Sequence, residues 1–89
     1  MRPLTDIRRE IDSIDDQIVD LLAQRFALAP QVIAYKKANG LPVVIPERVD
    51  EVIQRNMARA AGTAVPPSLI QAIYRAVIDA YCEIESREI

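Results

Sequence analysis

Eighty-nine residues can build one small domain at most, and chains of this size bury only around 60% of their unfolded surface, so helical ones often gain core by pairing. Hydrophobic residues make up 51%, charged residues 27% and aromatics 4%, with a formal net charge of -2. That balance describes a globular chain without the basic excess that nucleic acid demands.

The absence of histidine removes the usual metal ligand and general base, and the single cysteine, Cys82, rules out an intramolecular disulfide. No apolar run reaches about 18 residues, and the N-terminus carries no secretory pattern. A soluble cytoplasmic protein is expected, with no metal or other cofactor.

The first predicted element runs from Leu4 to Lys37. Ile7, Ile11, Ile14, Ile18, Leu21, Leu22, Leu28, Val32 and Ile33 recur at three- and four-residue steps, the period of a helix with one apolar stripe. Thr5 or Asp6 is the expected cap, Glu10 supports the start, and Asn39-Gly40 is the stop signal. Pro30 falls inside this span, where it lacks a backbone donor and crowds the carbonyl of Phe26. The apolar phase is unchanged across it, which predicts a kink within one long helix.

Leu41 to Pro46 reads as a loop, because each of its prolines favours extended backbone before it. A second helix starts near Pro46 or Glu47 with a stripe of Val49, Val52, Ile53, Asn56, Met57 and Ala60, and Gly62-Thr63 ends it. Pro66-Pro67-Ser68 opens a third, with Leu69, Ile70, Ile73, Tyr74, Val77, Ile78, Tyr81 and Ile84 in register and Glu85 continuing the stripe. The expected fold is all-α: three helices in a single domain, residues 1–89.

Two cations interrupt the first stripe. Arg25 lies four residues after Leu21, and Lys36 four after Val32. A helix that needed only a core would not place charges there, since an unpaired buried charge costs several kcal/mol. A structural account remains open, its best form being a buried ion pair with Asp12 or Asp16 of another chain. Arg8 and Arg25 are 17 residues apart, about 26 Å along a helix, too far to grip one small molecule from the same chain. In an antiparallel pair of chains, Arg8 of one would arrive beside Arg25 of the other. Arg48, in the first turn of the second helix, is placed to join them. Tyr74 and Tyr81 read more readily as core, and Cys82 as an inert small hydrophobe.

The segments Ile7-Arg8-Arg9-Glu10-Ile11-Asp12-Ser13-Ile14-Asp15, Leu21-Leu22-Ala23-Gln24-Arg25 and Tyr35-Lys36, with Arg48 after the loop, resemble the all-helical chorismate mutases over essentially the whole chain. That resemblance implies an intertwined helical homodimer with shared active sites. Arg8 of the partner, Arg25 and Arg48 would hold the two carboxylates of a small dicarboxylate, chorismate or isochorismate. Lys36 and Glu85 would be catalytic, both at the ether oxygen, and Tyr81 would join Val49 at the substrate. Val49 stands where bacterial mutases carry a glutamate for the ring hydroxyl. Pro46-Glu47-Arg48-Val49 instead looks like the isochorismate pyruvate lyases of salicylate synthesis. Glu85 is similar to the fungal mutases, whereas bacterial mutases and the lyase carry glutamine.

The expected function is therefore cofactor-free rearrangement of chorismate to prephenate. Alternatives are elimination of pyruvate from isochorismate, or action on an amino-substituted chorismate. Both main reactions ask the protein to orient the enolpyruvyl arm and to stabilise charge on the ether oxygen. Glu85 can donate there only when protonated. A non-catalytic dimerisation module, with the stripe charges in interchain salt bridges, is the competing class. It predicts no stabilisation by a bicyclic transition-state analogue.

Overall fold

The structure, a computed structural model, describes residues 1–88. The chain divides into two compact units, Met1–Pro30 and Gln31–Ile89. Among the described residues the regular elements are all helical: α1 (Leu4–Phe26), α2 (Ala29–Asn39), α3 (Pro46–Ala60) and α4 (Pro67–Glu88). None is long and apolar enough to cross a membrane.

The expected long first helix is carried by α1 and α2, with its hydrogen bonding interrupted at Ala27 and Leu28. Pro30 has no N–H to offer the Phe26 carbonyl, so the ladder must fail just before it. The last turn of α1 tightens, with the Leu28 amide donating to Arg25 O at 3.1 Å. Pro30 then sits in the first turn of α2, where its missing donor has no partner to lose.

The N-terminal cap differs from expectation. Thr5 and Asp6 lie inside the first turn of α1, and Pro3 is the cap residue, without a side-chain hydrogen bond. Its carbonyl accepts from the amides of Asp6 (3.1 Å) and Ile7 (3.3 Å). Pro3 already holds the extended entry geometry, φ -59° and ψ 143°, so the helix starts before the capping side chains are reached. Asp6 still complements the positive end of the helix dipole.

No residue of α1 is buried. Ile11, Ile14, Ile18 and Leu21 are 49% to 62% exposed, so this row of aliphatic side chains has no core of its own.

The second unit does have a core. Helix α3 packs on α4, burying Val52, Ile53 and Ile78, with Val49, Met57, Tyr74 and Cys82 packed around them. The ends of both helices follow the chemistry of their turns. Ile45 is extended (φ -113°, ψ 98°) and Pro46 opens α3, as a residue before proline must be and as a first-turn proline allows. At the far end, Gly62 takes φ +80° and Thr63 donates its hydroxyl to the Ala60 carbonyl at 2.6 Å.

Candidate active site

Lys36 lies in the last turn of α2 and Glu85 in the last turn of α4. Their side chains meet: Lys36 Nζ donates to Glu85 Oε2 at 2.6 Å, with side-chain exposures of 12% and 6%. Glu85 is buried, rather than sitting at a wet helix end. Lys36 Nζ also donates to the Val43 carbonyl at 2.7 Å. An ammonium has three donors, and these two contacts use two of them.

The backbone around Lys36 explains why the loop reaches it. Gly40 adopts φ +62°, the left-handed region that glycine enters without the penalty a Cβ brings. The Leu41 amide donates to Lys36 O (2.9 Å) and the Gly40 amide to Lys37 O (3.4 Å), the paired closure of a Schellman turn. The chain reverses there, so Val43 returns to the side chain one helical turn upstream. No side-chain signal in the sequence marks that carbonyl as a partner, because any residue supplies one.

The remaining candidates are distributed as follows. Val49, in the first turn of α3, is half-buried against the core. Tyr81, one turn before Glu85 on α4, is also half-buried. Arg48 is exposed and pairs with Glu51 on the same helix; a surface pair of that kind is worth at most about 1 kcal/mol, so a tighter anion displaces it easily. Arg8 and Arg25 lie on α1, in the other unit; Arg8 is exposed and Arg25 half-buried. Since α1 is unbroken from Leu4 to Phe26, the two guanidinium groups remain about 26 Å apart along the axis.

An open cleft of about 590 Å³ lies between the start of α3 and the middle of α4, lined by Val49, Ile78 and Cys82 with the charged Glu47, Asp50, Arg75 and Asp79. Neither Lys36 nor Glu85 lines it. Three carboxylates against one guanidinium make it a poor seat for a dianion, which is better served at the Lys36 ammonium. Cys82 lines this cleft and feels the charges of both Lys36 and Glu85. Burial pushes its thiol above the ordinary range, Glu85 and Asp79 add to this, and Lys36 opposes it. A thiol kept protonated is a weak nucleophile, which agrees with a packing role. Among the described residues no cluster of three or more His, Cys, Asp or Glu is arranged to hold a metal ion.

A sequence profile of the family described as chorismate mutase type II matches residues 7–86. The T-protein of Enterobacter agglomerans is 39% identical over 75 residues, covering 84% of this chain and 20% of that protein. The bifunctional chorismate mutase/prephenate dehydratase of Aquifex aeolicus is 32% identical over 90 residues, covering 98% of this chain and 25% of that protein. The 4-amino-4-deoxychorismate mutase of Streptomyces venezuelae is 29% identical over 79 residues, 89% of this chain and 77% of that protein. This chain thus spans only 20% to 25% of the length of the first two relatives. No solved structure matches it significantly.

Proposed function

Because the chain belongs to the chorismate mutase type II family, we propose that it rearranges chorismate to prephenate, with Lys36 and Glu85 as its catalytic residues. The observation that carries this reading is the Lys36–Glu85 contact at 2.6 Å, its carboxylate buried and its ammonium half-buried: a cation and a carboxylate, drawn from opposite parts of the sequence, with one ammonium donor that neither Glu85 nor Val43 takes.

The reaction is unimolecular. The ether carbon–oxygen bond breaks while a carbon–carbon bond forms, and no proton or electron is gained or lost. What the protein must supply is orientation of the enolpyruvyl arm and stabilisation of charge on the departing ether oxygen. Lys36 supplies a fixed positive donor. Glu85 contributes a second donor once protonated. Arg25 and Arg48 hold carboxylates of the substrate, and forked guanidinium contacts fix their direction as well as their position. Tyr81, one turn before Glu85 on α4, walls the ring, and Val49, next to Arg48, faces it from the edge of the neighbouring cleft.

Arg8 enters from a second copy of the chain, since Arg8 and Arg25 of one α1 are too far apart to share a ligand. The exposed row Ile7, Ile11, Ile14, Ile18 and Leu21 supports a homodimer, because apolar area of that extent gains stability when covered. Two-fold pairing is the commonest way to cover it.

Incubation with chorismate, isochorismate and 4-amino-4-deoxychorismate in parallel, with products resolved by chromatography, tests the reading. Prephenate is the expected product, and Lys36→Ala should lower kcat at least about 10²-fold, the scale of losing one oxyanion donor. A near-normal rate in that variant, or no prephenate from the wild type, overturns the proposal. Val49 favours elimination of pyruvate from isochorismate as a second reading, because it leaves the ring hydroxyl without a carboxylate partner. Salicylate in the second tube would select it. Val49 raises the third reading, action on an amino-substituted chorismate, in the same way, and the Streptomyces venezuelae relative named for that analogue supports testing it.

A further inference from the structure

We propose that the segment Gly40–Val43 is a positioning element for Lys36, and that the left-handed turn at Gly40 sets the direction of the one ammonium donor left for substrate. The inference rests on Lys36 being catalytic, but it concerns how the fold aims that side chain. Lys36 is held at both ends by the same short loop. Its carbonyl accepts from the Leu41 amide at 2.9 Å, and its Nζ donates to the Val43 carbonyl at 2.7 Å. Glu85 takes a second donor at 2.6 Å. With two donors fixed in direction, the tetrahedral ammonium cannot spin, and the third is aimed by geometry alone.

The loop is suited to act as a stop for the side chain. Leu41 precedes Pro42 and Ile45 precedes Pro46, so both are restricted to extended backbone, and the prolines fix their own φ. Only Gly40 provides the reversal, at φ +62°, and a Cβ built there meets no atom within 4 Å. Substitution at this position therefore strains the backbone without a clash, moving the loop rather than jamming it. A lysine side chain otherwise loses much rotamer freedom when it must adopt one pose. Ordering it before substrate arrives removes that cost from the binding and chemical steps.

Two features of the chain make a controlled experiment possible. Gly62 has the same character, φ +80° with nothing within 4 Å of an added Cβ, but it closes the opposite end of the α3–α4 hairpin. Lys36 and Lys37 are the only lysines, and Lys37 is exposed, so it serves as an internal standard for amine reactivity. Gly40→Ala and Gly62→Ala are compared in the full chain by brief acetylation with acetic anhydride. The Lys36-to-Lys37 labelling ratio is read by fragmentation mass spectrometry, alongside kcat and KM on chorismate.

The expected result is that Gly40→Ala raises the labelling ratio about five-fold or more, as a strained turn releases the ammonium. It should also lower kcat by about 10- to 100-fold, with KM within about two-fold, as expected for a misplaced reacting group. Gly62→Ala should match its loss of thermal stability and leave ratio and kcat unchanged. Equal labelling and equal kcat in the two variants overturn the inference. Should Gly40→Ala fail to fold, Gly40→Asn and Gly62→Asn form a milder pair judged by the same criteria, since asparagine tolerates the left-handed region better. A wild type inactive on chorismate whose ratio still responds at Gly40 refutes the catalytic reading and keeps the positioning. An active wild type that loses its rate in Lys36→Ala but not in Gly40→Ala does the reverse.

Discussion

Replacing Lys36 by methionine removes the ammonium and nearly preserves the shape of the side chain. The Glu85 carboxylate, 6% exposed, is then left in the protein interior without its cation. Removing one partner of a buried ion pair costs about 3–5 kcal/mol, mostly because the orphaned charge stays desolvated. Glu85→Gln should cost less, about 1–3 kcal/mol, because the ammonium keeps the Val43 carbonyl and an amide oxygen can still accept from it. The double variant leaves no buried charge, so it should be more stable than Lys36→Met alone, with a coupling of about 2 kcal/mol or more between the sites. Urea unfolding of the four proteins measures this, at one fixed protein concentration because association adds to apparent stability. Losses that simply add would show that the contact carries no energy and refute the account of the site built on it.

Three further outcomes can be checked. Glu85→Gln keeps a donor facing the ether oxygen whereas Glu85→Ala removes it, so kcat should fall at least about 10²-fold in the alanine variant and far less in the glutamine one; equal losses would remove Glu85 from that role. The Cys82 thiol is held above its ordinary range by burial and by Glu85 and Asp79, so the folded chain keeps that proton to higher pH than the unfolded chain. Its contribution to stability is complete below the unfolded thiol value, about 8.5, and is lost as pH climbs through the folded one; Cys82→Ala should lessen the alkaline decline in urea midpoint, and an identical decline would contradict the shift. Finally, Ile18→Lys places a charge in the exposed row of α1 and should leave monomers in sedimentation equilibrium, whereas an unchanged dimer would exclude this row from the interface.

Much of the fold could be read from residue types with fixed local consequences. Pro46, Gly62 and Pro67 mark helix ends because proline lacks a donor and glycine alone enters the left-handed region cheaply. Pro30 announced a kink in one long helix, and the helical bonding gives way at Ala27 and Leu28 because the missing bond belongs to the carbonyl four residues earlier. Lys36 and Glu85 stood out as charges at apolar positions of helical stripes. Their mutual contact was not legible from spacing, since 49 residues separate them and periodicity is silent beyond its own helix. The Val43 carbonyl left no trace either, being a backbone group on an unremarkable residue. The start of α1 was misplaced by the caps, because Thr5 and Asp6 look like starts while Pro3 had already set the backbone.

Glu85 lies in the last described turn of α4, Pro67–Glu88. The last turn has its own supports, an Arg87–Glu83 contact at 2.6 Å and a Ser86 hydroxyl donating to Glu83 O at 2.8 Å. Both lie on the surface, where such contacts add little. The carboxylate opposite Lys36 therefore owes its place to its own burial and to the α4 backbone rather than to these neighbours, so stripping Glu83, Ser86 or Arg87 to alanine should leave the site armed.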